Sequence, residues 1–178
     1  MKKIISIISC LISAVYSICY AGLGGFAGNK GALSKIGLDH PVLFAIWGIL
    51  TIIAIDSNIL IGFKKMKYKF QYILLGIAAI GMIMTLCFDF DYNQYNEYIL
   101  HCIGSMTFSI ITGISVFLLF LLSKNYLFTI LSGGILIIDL ILLIIFKETA
   151  IIELMPIFAG YIMLTIHNNK EKEFVEVK

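Results

Sequence analysis

Arginine is absent from this chain of 178 residues, and all thirteen of its basic side chains are lysine. The planar fork that grips phosphate in two places is therefore missing, which argues against a nucleic-acid surface and against an arginine-clamped nucleotide site. Charge of either sign is scarce, at 13% of residues, and the formal net charge is only +2. Where the charges sit is therefore more informative than their sum. The four cysteines, Cys10, Cys19, Cys87 and Cys102, form no CxxC pair and fall within or at the ends of apolar runs. Packing is their default role, although Cys87 and Cys102 fall near one membrane face, where a disulfide could join them. Gly22, Gly24, Gly25, Gly28 and Gly31 superficially imitate a phosphate cradle. They lack a following Gly-Lys-Ser/Thr and a preceding strand, so they read as a flexible loop with a short interfacial helix around residues 32–36.

What the chain has in abundance is apolar surface: 60% of residues are hydrophobic and the mean hydropathy is +1.00. A single water-soluble core of this length could not hide so much, and lipid is the required solvent. Six apolar runs are long enough to cross a bilayer, at residues 4–24, 42–63, 70–88, 99–122, 126–146 and 149–166. The sequence thus predicts an all-α fold, a polytopic bundle of six transmembrane helices. Its single domain spans residues 1–167, followed by a polar tail at 168–178.

Orientation follows from the lysines. With the N-terminus in the cytoplasm, that side carries Lys2, Lys3, Lys64, Lys65, Lys67, Lys69, Lys124, Lys170, Lys172 and Lys178, and the far side only Lys30, Lys35 and Lys147. This bias predicts both termini inside and a location in the cell membrane. Tyr92, Tyr95 and Tyr98 then belong at the outer interface. The first run has a second reading as a signal peptide, with Cys19-Tyr20-Ala21 as a small-x-small cleavage site. Against it, Ser9, Ser13, Ser17 and Ala21 form a small-residue stripe suited to close helix packing; Ser105, Ser109 and Gly113 form another. Either stripe could seat a helix of a partner protein.

Ionisable groups inside spans are costly unless paired, protonated or facing a polar cavity. Asp56 falls in the cytoplasmic half of the second span, whereas Asp139 falls in the outer half of the fifth, so they do not form one paired site. Each either ties helices together through a protonated carboxyl or moves protons or cations. A second group gathers at the outer face: His40 closes the first loop, Asp89 ends the third span, His101 opens the fourth, and Glu153 sits one turn inside the sixth. Together they could line a polar pocket at headgroup level. There His101 would be a base or metal ligand, and Glu153 or Asp89 its orienting partner. No cofactor is specified, but a divalent metal could be held by His40, Asp89 and His101.

The run Leu38-Asp39-His40-Pro41-Val42-Leu43-Phe44 entering the second span, the segment from Phe88-Asp89 to His101, and Glu153 early in the sixth span resemble a bacterial family of six-span membrane proteins of unknown function. That family is itself distantly similar to the damage-regulated autophagy modulator group, whose eukaryotic members are linked to remodelling of glycosylphosphatidylinositol lipids and to lipid distribution. The resemblance implies His40, Asp89, His101 and Glu153 as site positions. It departs at the end of the third span, where the family often has a proline after the phenylalanine and this chain has Asp89.

The function expected is binding or remodelling of a lipid or another amphiphile at the outer pocket, with membrane lipids as partners. One alternative is a small proton- or cation-coupled transporter using Asp56 and Asp139. The other is a non-catalytic accessory subunit that docks through its small-residue stripes.

Overall fold

The computed structural model describes residues 2–170, apart from 27, 29, 30, 65 and 67. Lys30, Lys65, Lys67, Lys172 and Lys178, which contribute to the charge asymmetry, and residues 171–178 of the expected tail lie outside the described residues. Those described form seven helices and no strand: α1 (Lys2–Gly22), α2 (Leu33–Asp39), α3 (Pro41–Phe63), α4 (Gln71–Cys87), α5 (Tyr95–Leu122), α6 (Tyr126–Phe146) and α7 (Ala150–Lys170). Five of them, α1, α3, α5, α6 and α7, are long and apolar enough to cross a membrane. The apolar α4 has 17 residues, which at ~1.5 Å per residue is about 26 Å, somewhat less than the hydrocarbon thickness.

Local chemistry sets the breaks. Pro41 opens α3 at its first turn, where a missing N–H costs nothing. Its ring also pushes His40 out of the helical region, to φ −135° and ψ 62°, and this residue separates α2 from α3. Asn125 caps α6 by accepting from the Phe128 amide, and the Thr149 hydroxyl accepts from Ile152 N at the start of α7. The two tight turns flanking α6 place Lys124 and Lys147 at φ 57° and 59°, a conformation that a side chain other than glycine adopts at a cost.

Burial is inverted relative to a water-soluble protein. Ile130, Ile137 and Ile144, spaced by seven on α6, are 73%, 63% and 74% exposed. Meanwhile Ser13, Ser17, Asn58 and His101 are all buried and hydrogen-bonded. Apolar side chains outside and hydrogen-bonded polar ones inside are what lipid solvent selects, since only there does an exposed isoleucine cost nothing. The protein is a membrane-embedded helical bundle.

Within the bundle α1, α3 and α7 share one core, α4 packs along α5, and α6 lies against α5 and α7. Cys10, Ser13, Ser17, Tyr20 and Ala21 are buried along one side of α1, so the first apolar run is a full member of the core. The tightest approach joins α4 to α5. A Cβ at Gly81 would lie 2.7 Å from Phe108 N, and one at Gly104 would lie 2.7 Å from Gly81 O. The two backbones touch with no room for a side chain. The stripe of Ser105, Ser109 and Gly113 runs beside this contact: Ser109 is exposed, Ser105 bonds back to Cys102 O, and Gly113 faces Leu136 of α6.

Gly104→Val is therefore expected to lower stability by about 2–3 kcal/mol through overpacking. Gly76→Ala, with nothing within 4 Å of the added Cβ, should raise it by about 0.5–1 kcal/mol through helix propensity. Unfolding of the two variants in the same detergent measures both; equal transitions would mean that the glycine contact does not hold α4 to α5.

Candidate functional site

The geometry centres on the start of α2. The first amides of a helix have no partner within it, and Ala32, at the N-cap, offers no side-chain acceptor. Glu153 supplies one from α7, its Oε2 accepting from Leu33 N at 2.7 Å. Tyr20, from α1, donates its hydroxyl to Leu33 O at 2.9 Å. Leu33, 1% exposed, is thus held by both of its backbone polar atoms.

Ser34 is tied to α5. Its Oγ lies 2.8 Å from His101 Nε2, and His101 Nδ1 lies 2.8 Å from Phe88 O. A carbonyl only accepts, so Nδ1 carries the proton, and in the neutral ring Nε2 accepts from the Ser34 hydroxyl. The ring is 1% exposed. It stacks on Phe44 at 6.1 Å and tilts against Phe90 at 5.1 Å. With both nitrogens engaged and aromatic rings on its flanks, His101 joins the end of α4 to α2.

Lys35 is the next residue along α2, and its Nζ sits 5.3 Å from the centroid of the Tyr92 ring, within cation–π range. Tyr92 is tilted against Tyr98 with ring centroids 4.7 Å apart, and Phe90 touches both rings. Desolvation first, and then the Glu148 carboxylate, push the Tyr92 phenol above its usual range, so it is a neutral hydroxyl at physiological pH. Tyr98 lies beside the Cys102 side chain, one helical turn further along α5. Cys102 heads a shallow apolar groove of about 440 Å³ that continues along Ile103, Met106, Thr107, Ile110 and Ile111. At ~1.5 Å per residue the groove runs about 14 Å down α5. Lys35, Tyr92, Tyr98 and Glu148 therefore form a polar, aromatic collar at one end of an apolar groove.

Of the residues expected at the outer pocket, His101 and Glu153 meet adjacent residues of α2. The Asp89 carboxylate lies in the electrostatic neighbourhood of His101, but the residue is exposed, and its backbone N–H points to Glu97 Oε2 at 3.4 Å. His40 is exposed at the far end of α2. Among the described residues no three His, Cys, Asp or Glu side chains come together in a group that could hold a metal. His40, Asp89 and His101 thus do not form a set of metal ligands. All four cysteines are free, Cys87 and Cys102 among them. Asp56 and Asp139 each bury one oxygen, Oδ1, that has no hydrogen-bond partner.

At the opposite end of the core is a second polar junction. Asn58, fully buried on α3, accepts from the Ser6 hydroxyl of α1. It also accepts from Asn168 Nδ2 of α7, at 3.0 Å through its backbone oxygen and 3.1 Å through Oδ1. Between the two ends, Trp47 Nε1 donates to Ser17 Oγ at 3.1 Å, and Ser13 Oγ meets Tyr161 Oη at 2.7 Å. Helix α7 continues through Lys170, with His167 and Asn168 both buried, into the segment expected to be tail. Sequence reasoning missed Tyr20, Ser34, Lys35 and Asn168. The four-residue spacing of Tyr98 and Cys102 was the one local sign of the collar, because it places both on one side of a helix.

Glu153→Ala should free the Leu33 amide and speed its hydrogen exchange by about tenfold or more, the loss expected for a hydrogen bond to a carboxyl group. Glu153→Gln keeps an acceptor and should stay near wild type. Exchange measured by mass spectrometry across residues 32–39 checks this, and an unchanged rate in Glu153→Ala would mean that α2 is held by other contacts. Comparison with known protein families, with curated proteins and with solved structures finds no match for this chain.

Proposed function

We propose that this protein is a six-span protein of the cell membrane, with both termini in the cytoplasm, that binds a lipid or a related amphiphile from the outer leaflet. The polar head rests at the collar of Lys35, Tyr92, Tyr98 and Glu148, and one apolar chain lies along the α5 groove. The observation that carries the reading is the continuity of a charged aromatic cluster with an apolar groove, joined through the Tyr98–Cys102 contact. A cation, a carboxylate and aromatic rings at one level suit a head that carries phosphate or hydroxyl groups. The crossing by α4 is supported by its apolar composition and by Phe70 and Phe88 at its two ends. The orientation is supported by the lysine asymmetry.

On this reading His101 and Glu153 are positioning residues. They fix Leu33 and Ser34, and so set where the following Lys35 projects: both ring nitrogens of His101 are engaged, and Glu153 Oε2 holds the Leu33 amide. Asp89 and His40 border the site without entering it. Membership of the bacterial six-span family is part of the same proposal, and the lipid-linked roles of its distant eukaryotic relatives agree with it.

Native mass spectrometry of protein released from a mild detergent tests this reading. Wild type should retain a phospholipid, and Thr107→Trp, which fills the groove without touching α2, should retain it at least several-fold less. His101→Ala and Glu153→Ala should also weaken retention, but only to the extent that exchange of residues 32–39 rises. Retention unaffected by Thr107→Trp would sink the groove assignment. A second reading, ion-coupled transport, has in its favour the unpartnered buried oxygens of Asp56 and Asp139. Proton flux in proteoliposomes that Asp56→Asn or Asp139→Asn abolishes, with lipid retention intact, would replace the first reading with the second.

A further inference from the structure

At the end of the bundle away from α2 a second, smaller groove of about 220 Å³ lies between the start of α1 and the end of α3, lined by Ile5, Leu60, Ile61 and Lys64. Three of its walls are aliphatic and face the surface that lipid covers. The fourth is the one ionisable side chain in the lining, on the C-cap residue of α3, whose backbone N–H bonds to Leu60 O at 2.9 Å. Among the described residues no hydrogen bond or ion pair engages the exposed Lys64 ammonium.

The charges nearest in the chain are all of one sign. Lys2 and Lys3 begin α1, and Lys65, Lys67 and Lys69 follow in the α3–α4 connection. The first acidic side chain up α3 is Asp56, eight residues back, about 12 Å along the axis. An aliphatic slot that ends in an ammonium with no partner among the described residues, with Lys2, Lys3, Lys65, Lys67 and Lys69 close to its lining in the sequence, complements a molecule with an acyl chain and a net negative head. A zwitterionic head would bring a second cation to these lysines and fit less well.

We infer that the α1–α3 groove is a binding site for an anionic phospholipid, with its phosphate on the Lys64 ammonium and one acyl chain lying against Ile5, Leu60 and Ile61. The site is separate from the collar at the α2 end and does not depend on what binds there. It gives the Lys64 ammonium, at the edge of an apolar slot, the anionic partner that no described residue supplies.

The test offers the intact protein, in a mild detergent, phosphatidylglycerol and phosphatidylcholine with identical acyl chains, and counts the retained lipids by native mass spectrometry. Wild type should retain the anionic lipid several-fold more. Lys64→Gln should remove that preference and Lys64→Arg should preserve it. Ile61→Trp, which fills the slot and leaves the charge, should reduce retention of the anionic lipid, whereas Lys69→Gln, outside the slot, should reduce it much less than Lys64→Gln does. Lys64 and Lys69 are exposed, so the substitutions should leave the thermal transition where it is. A preference that survives Lys64→Gln would overturn the site. An equal loss in Lys69→Gln would assign the effect to diffuse charge in the basic loop instead. Displacement of the lipid by inorganic phosphate alone would show that the slot plays no part.

Discussion

The α2 end of the bundle depends on one residue's backbone, because Leu33 begins a helix whose N-cap, Ala32, has no polar side chain. An uncapped amide away from water costs up to several kcal/mol. The chain meets this cost from two other helices, through Glu153 for the N–H and Tyr20 for the carbonyl. Once Leu33 is fixed, Ser34 is within reach of His101, and Lys35 is carried over Tyr92. Three consecutive residues of α2 thus link α1, α5, α7 and the loop after α4. The short helix is held as a keystone, and the collar inherits its precision from that.

The rest of the packing answers the same constraint of lipid solvent. Hydrophobic burial contributes little between helices whose outer faces lie in hydrocarbon, so close contact and hydrogen bonds must hold them. Gly81 and Gly104 provide the first, by letting α4 and α5 meet backbone to backbone. Ser6, Asn58 and Asn168 provide the second for α1, α3 and α7. Asn58 sits two residues from Asp56, yet the amide is fully bonded while one carboxyl oxygen has no partner. An amide can both donate and accept without charge, and for that reason it suits a junction inside the membrane better than an acid does.

Most of the architecture is legible in the sequence. The six apolar runs each become a helix, five of them long enough to cross a membrane, and Pro41 preceded by His40 marks the break that separates α2 from α3. The spacing of Ser13 and Ser17 gives the packed side of α1. What is not legible is which polar groups meet across helices, because rotation of a span about its axis leaves no mark in composition. Glu153 and His101 look like chemistry for that reason: a charged or titratable residue in an apolar run is conspicuous, whereas the Leu33 amide it serves has no letter of its own. Ser109 and Gly104 make the same point in reverse. The serine belongs to a visible stripe and faces outward, while the glycine, outside the stripe, carries the contact. Asn168 is polar and close to the C-terminus, features that suit a tail, yet it closes the junction with Asn58.

The direction of the internal hydrogen bonds bears on what this core can do. A proton relay needs groups that accept on one side and donate on the other, in an unbroken series. Trp47 can only donate, and Ser17, which receives its bond, donates in turn to the backbone oxygen of Ser13 at 2.7 Å. That branch ends on a peptide carbonyl. At the other junction the Asn168 amide likewise ends on Asn58, whose own Nδ2 donates to Ala54 O at 2.8 Å. These bonds are terminated rather than continued, as befits a seam that fixes the angle between α1, α3 and α7. Asp56 and Asp139 take no part in either branch, and each keeps one buried oxygen without a partner. The polar interior along α1 is better understood as the rigid frame on which Tyr20 and Glu153 can hold α2, and through it Lys35, in place.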